Sequence, residues 1–299
     1  MRKNAIWLGI VIVLLFATGC SSRLAYNNLD WLAVRWVDRQ VSLDRDQRQL
    51  VSDHVDALQR WHCATQMDEY QNWLEQVRLD LLSKEIERES LIEYGQQLAI
   101  FATRLAEQSE PMLVDFAASV NTQQVDAILH ELDERIDKLS DEVDSRSAGQ
   151  WAIDRVEGME RRLRRLMGPL NPRQHERLEQ WAQDLVATHQ YQLTQRQYWR
   201  NRIAGALERR AEPGFIAAEV KALLAPADVW PENYRRAIET NRELTLDALH
   251  DLVGLIEPRQ RSRISARLAR LSNDFERLGC PEDDPSDSAS NLLAGTRSS

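Results

Sequence analysis

Apolar residues recur at intervals of three and four along almost the whole of this chain. Val125, Ile128, Leu132, Ile136, Leu139 and Val143 form one stripe. Leu178, Trp181, Leu185 and Thr188 form another, extended by Trp199 and Ile203, and Ile264, Leu268, Leu271, Phe275 and Leu278 form a third. This is the period of an α-helix with one buried face, and no strand-like alternation of comparable length competes with it. With only 11 Gly and 9 Pro in 299 residues, turns are few and elements long. The pattern predicts an all-α fold, an elongated multi-helix bundle of amphipathic helices. About nine helices are expected, over 24–41, 45–62, 65–84, 87–108, 122–145, 149–167, 172–210, 213–224 with 231–254, and 258–279. The breaks fall at Pro111, Gly168-Pro169, Pro213-Gly214, Pro226 to Pro231 and Pro258.

One phrase recurs at the expected helix starts: an apolar residue, a small polar or acidic residue, two further positions, then Gln. It occurs as Leu43-Asp44 with Gln47, Val120-Asn121 with Gln124, Leu170-Asn171 with Gln174, and Ile256-Glu257 with Gln260. With the polar residue at N-cap, Gln falls at N3, where it can return a bond to the N-cap N–H. That is a capping box, and Pro172 and Pro258 stand at N1, where a missing N–H costs nothing. Glu257 is the weak N-cap of the four. Four residues after each Gln comes Val51, Ile128, Leu178 or Ile264, so each phrase also sets which helix face turns inward. The phrase resembles the LTxxQ motif of Spy-type periplasmic chaperones over about five residues per site, although no Leu-Thr pair stands here. The Gln residues are unevenly spaced, so they do not form a repeat array.

The first twenty residues read as an address. Arg2 and Lys3 precede a short apolar run ending at Phe16, too short for a comfortable membrane span. Ala17-Thr18-Gly19-Cys20 then resembles a bacterial lipobox, in which Cys20 is acylated and residues 1–19 are removed as a signal peptide. The resemblance implies a lipid-anchored protein, and Ser21 after the Cys implies the outer membrane, periplasmic face. An ordinary secretory signal with an incidental Cys is the alternative. Residues 20–23 would then be the lipidated N-terminus and 24–280 the helical domain. The polar, turn-rich tail 281–299 reads as disordered. No Gly/Ser-rich tether separates Cys20 from the first helix, in which Leu29, Leu32 and Trp36 share a stripe.

Beyond Cys20, only Cys63 and Cys280 remain. In an oxidising compartment the pair suggests a disulfide closing a very long loop; two free thiols too distant to meet are the alternative.

The opening CSSRLAYNNLDWLAVRWVDRQVSLDRDQ, followed by LQRWHCATQMDEYQNWL, resembles a family of proteobacterial lipoproteins carrying a helical domain of unknown function. The anchor Cys, Tyr-Asn-x-Leu-Asp-Trp, a helix start ending in Gln, and a Trp-His pair occur in that order. The resemblance implies an exported, all-helical lipoprotein and carries no reaction.

The net charge of −9 argues against nucleic acid as a partner, since phosphate binding needs clustered positive charge. The acidic run 131–144 and the basic runs 259–270 and 161–165 are expected to lie beside each other or in solvent. The six His residues form neither HExxH nor Glu-x-x-His, so no metal is expected; Asp247 with His250 is a lone pair, and His62 beside Cys63 is a further lone candidate. No GxSxG, P-loop or GxGxxG is present, so neither a cofactor nor a catalytic residue is expected. Most of the Trp residues fall on apolar stripes and read as core, while Trp61-His62 and Tyr198-Trp199 could instead line a concave binding face. These readings converge on a non-enzymatic, protein-binding role with an envelope partner. A Spy-like chaperone and a cell-wall hydrolase are the alternatives, and the oligomeric state is left open.

Overall fold

The computed structural model describes residues 26–83 and 86–278. The leader, Cys20, Cys280 and the tail lie outside the described residues. Among those described there are ten α-helices and no strand: α1 (Leu29–Val41), α2 (Arg45–Ser83), α3 (Arg88–Ser119), α4 (Thr122–Ser145), α5 (Ala148–Met167), α6 (Pro172–Asp184), α7 (His189–Glu208), α8 (Pro213–Leu224), α9 (Glu232–Gly254) and α10 (Pro258–Glu276). A 3-10 turn, Pro226–Val229, joins α8 to α9. The chain is an all-α multi-helix bundle.

Several boundaries differ from the sequence reading. The expected helices 45–62 and 65–84 are one helix of 39 residues, about 58 Å long at 1.5 Å per residue. Pro111 does not end α3; the helix runs through it to Ser119. Pro111 is exposed, so water can satisfy the carbonyl that its missing N–H leaves open. The expected single helix 172–210 is two, broken at Leu185 with neither Gly nor Pro. The break is held from outside. The Asn241 side chain, on α9, accepts from Val186 N at 2.8 Å and donates to Val186 O at 2.9 Å. One side chain thus satisfies both backbone groups of Val186, in the gap between the two helices.

α2 is the central element, packed against α1, α3 and α10; α4 packs on α7, and α5 on α6. The acidic run was expected beside a basic one from 259–270 or 161–165, or in solvent. Its helix, α4, lies on α7 rather than on either basic run, and there Arg200 clamps Asp133 with two bonds of 2.7 and 2.6 Å. The basic helix α10 lies against α2 and α5 and sends Arg261 to the Leu81 carbonyl near the end of α2. In the 161–165 run, Arg161 and Arg164 pair with Glu157 and Glu160 one turn back on their own helix.

The four repeated phrases meet in two pairs. Gln47 and Gln124 donate to each other, Nε2 to Oε1, at 2.9 and 2.6 Å. Gln174 and Gln260 do the same at 2.9 and 3.0 Å. Each Oε1 also accepts from the backbone N–H of its own N-cap residue: Asp44, Asn121, Asn171 or Glu257. Each Nε2 spends its second hydrogen on the partner segment, at the carbonyl two residues before the partner's N-cap. These acceptors are Ser119, Ser42, Leu255 and Pro169. Both donors and both acceptor positions of every amide are used, which is why four Gln residues tolerate near-complete burial. The residue between that carbonyl and the N-cap is the apolar one of the phrase. Leu43 and Val120 are buried in the core, and Leu170 and Ile256 pack against it.

Candidate functional site

Tyr26 opens the described chain and is 5% exposed. It lies in a core cluster with Met67, Leu74, Leu271, Phe275 and Leu278, against which Cys63, Tyr70 and Trp73 pack. Its hydroxyl lies 3.0 Å from His62 Nδ1 and 3.5 Å from Cys63 Sγ, and its carbonyl accepts from Gln59 Nε2 at 2.9 Å. Two separated parts of the sequence, the Tyr-Asn-x-Leu-Asp-Trp motif and the Trp61-His62 pair, therefore meet. Tyr26 is thus held where α2 and α10 pack together.

Burial sets the electrostatics of this junction. It depresses His62 to about 4, so the imidazole is neutral above mildly acidic pH. It pushes Tyr70 up to about 12 and Tyr26 far above the ordinary phenol value, with Tyr70 adding to the rise at Tyr26. Both phenols hold their protons.

From Tyr26 an aromatic series runs through the bundle. Tyr26 meets His62 at 5.9 Å between ring centroids, His62 meets Tyr70 at 5.3 Å, and Tyr70 meets Phe101 edge-on at 4.5 Å. Phe101 and Tyr94 each stand edge-to-face on Trp73, at 6.3 and 6.4 Å. Such perpendicular contacts suit the quadrupoles of the rings. The series ends at a surface groove of about 380 Å³ between α2 and α3. Glu69, Trp73 and Gln76 line it from one side and Glu93, Tyr94 and Gln97 from the other. The groove offers aromatic faces, carboxamides and acids together; Tyr94 donates to Asp80, and Glu69 accepts from Arg104 at 2.6 Å.

The other candidates are placed as follows. Tyr198 and Trp199, on α7, lie under Arg202, whose guanidinium is 5.9 and 5.1 Å from their ring centroids and also binds Glu219 of α8. Asp247 is engaged by Arg88, which also holds Glu243, tying α3 to α9. Trp181 and Trp230 are core, whereas Trp36, placed on an apolar stripe by its spacing, is 58% exposed, and Trp31 is 55% exposed. Leu32 is exposed with them. The expected stripe Leu29–Leu32–Trp36 is not the inner face of α1; Ala33, Val34 and Val37 turn inward, with Leu29 at the border. Among the described residues no group of three or more His, Cys, Asp or Glu is placed to hold a metal ion, and no helix is long and apolar enough to cross a membrane. The junction of Tyr26 with His62 was not legible in the sequence, although both motifs were.

Fold and site together define an all-helical protein in which Tyr26, the first described residue, is tied into the core. Residues 39–235 match the model of a family of unknown function, DUF6279, and the chain belongs to that family. No curated protein and no solved structure matches it.

Proposed function

We propose that this chain is a lipoprotein of the outer membrane, held at its periplasmic face through Cys20, whose helical domain has a non-enzymatic role as a protein-binding scaffold. The observation that carries the reading is the docking of Tyr26. Tyr26 lies six positions after Cys20, a reach of at most about 22 Å. A lipid on Cys20 would thus fix the domain against the membrane rather than leave it on a loose tether. α2 would carry the groove beside Trp73 and Tyr94 away from that attachment, at a set distance. The groove's acids and carboxamides suit a partner protein presenting basic and hydrogen-bonding side chains. The four helix-start Gln residues are consumed in the two clasps, so they offer nothing to an unfolded client; the LTxxQ likeness is read as architecture. In the same compartment, Cys63 and Cys280 are proposed to form a disulfide.

Two measurements test the reading. The mass of the mature N-terminus should show an acylated Cys20, and Cys20→Ala should release the protein from the membrane fraction. A photo-crosslinker at Glu93, used in intact cells, should capture a discrete protein identified by mass spectrometry. An unmodified N-terminus refutes the anchor. Absence of any protein adduct at Glu93 refutes the scaffold.

A further inference from the structure

α1 has two apolar faces and only one is covered. Ala33, Val34 and Val37 pack inward on the cluster of Leu43, Val51 and Val55. On the other side Trp31, Leu32, Arg35, Trp36 and Arg39 are all exposed. At 100° per residue these five fall within an arc of about 140°, with no acidic residue among them. Arg35 lies over the Trp31 ring, 5.3 Å from its centroid.

We propose that this outer face of α1 seats on the phospholipid interface of the membrane to which the chain is anchored, with Trp31, Leu32 and Trp36 at the acyl boundary and Arg35 and Arg39 on lipid phosphates. The inference rests on the lipid-anchor reading and adds an orientation to it. Chain length selects the occupant. Trp31 follows Cys20 by eleven residues and Tyr26 is fixed in the core between them, so α1 is the first helix to meet the bilayer. Residue chemistry agrees: indole rings partition to the headgroup level, and arginine spreads its stem on apolar surface while its guanidinium meets phosphate. The inner face and the outer face thus do different work, one closing the bundle and the other orienting it.

The test uses the full lipidated chain in vesicles of phosphatidylethanolamine and phosphatidylglycerol whose acyl chains are brominated near the ester end. Tryptophan quenching is compared between the wild type and the Trp31→Phe/Trp36→Phe variant, which keeps apolar rings at both exposed positions. The expected result is bromolipid quenching in the wild type that falls by about twofold or more in the variant. The companion variant Arg35→Glu/Arg39→Glu should also lose quenching, with its helical circular dichroism unchanged. Protein that floats with the vesicles but shows no quenching from Trp31 and Trp36 overturns the seat and leaves the anchor standing. Protein that does not float overturns the anchor, and the seat with it. A disulfide between copies of a Trp36→Cys variant, formed in place of quenching, assigns the face to a second copy and overturns the proposal.

Discussion

Gln174 and Gln260 lie 86 positions apart in sequence and are bonded to each other twice, amide to amide, with no surface left on Gln174 for solvent. Removing either side chain strands its partner's amide, one N-cap N–H and one loop carbonyl in a buried place. Each buried group left unpaired costs about 1–3 kcal/mol. Gln174→Ala should therefore destabilise the fold by about 3–5 kcal/mol, measured by urea unfolding. Gln190→Ala, at an exposed helix position, should change it by less than about 0.5 kcal/mol. A double-mutant cycle on Gln174 and Gln260 should return a coupling of about 1–3 kcal/mol. Additive losses would show that the clasp does not act as a unit.

The helix starts were legible because a cap and its N3 partner are local. Asn171 with Gln174 can be read from four residues. Their pairing was not, because it is decided by the two Nε2 hydrogens that a capping box leaves unspent. Four such amides carry eight unspent hydrogens when the chain compacts; four of these go to one another's Oε1 and four to backbone carbonyls of the partner segments. The break at Leu185 was hidden for a related reason. Its stabilising partner, Asn241, is 55 residues away and looks like any polar helix residue. Leu32 and Trp36 turn outward although their spacing puts them on one stripe, because helical spacing gives a face but not which neighbour covers it. α1 is apolar on both sides, and only packing distinguishes them.

His62 should make the fold acid-sensitive. Its folded value of about 4 lies below the ordinary 6.5, so between these limits the unfolded chain binds the extra proton. Stability is complete above about pH 6.5 and is lost as pH falls toward 4, by up to about 3 kcal/mol. His189, depressed by burial and then by Arg155 and Arg146, contributes with the same sign. His62→Gln should flatten the pH 4–6.5 slope of unfolding free energy by about one proton. An unchanged slope would mean that His62 is solvated.

Gly168 ends α5 at φ 89 and ψ −165, a region open essentially to glycine alone, with its N–H bonded to the Arg164 carbonyl. A Cβ here would stand 2.0 Å from the Arg263 guanidinium. Gly168→Ala should cost about 1–3 kcal/mol from backbone strain. Arg263 is exposed and can swing away, so Arg263→Ala should be near neutral alone and should restore little in combination. Full rescue by Arg263→Ala in thermal unfolding would place the cost in the side-chain contact instead.

Cys63 packs against the cluster that contains Leu278, two residues before Cys280. The proposed Cys63–Cys280 bridge would close a loop of more than 200 residues, from α2 to a position four residues beyond the last residue of α10, with a contribution of up to about 5 kcal/mol in the chain-entropy model. It would also lock the two helices that enclose Tyr26, so reduction should loosen the N-terminal attachment before the distant clasps. Protein isolated from the envelope without reductant should have no titratable thiol, and its mass should rise by about two hydrogens on reduction. Reduction should lower the unfolding midpoint, and hydrogen exchange should rise first around His62, Met67 and Phe275. Cys63→Ser and Cys280→Ser should each reproduce the reduced protein. Two free thiols in the isolated wild type would remove the bridge and leave the hydrophobic cluster alone to hold Tyr26.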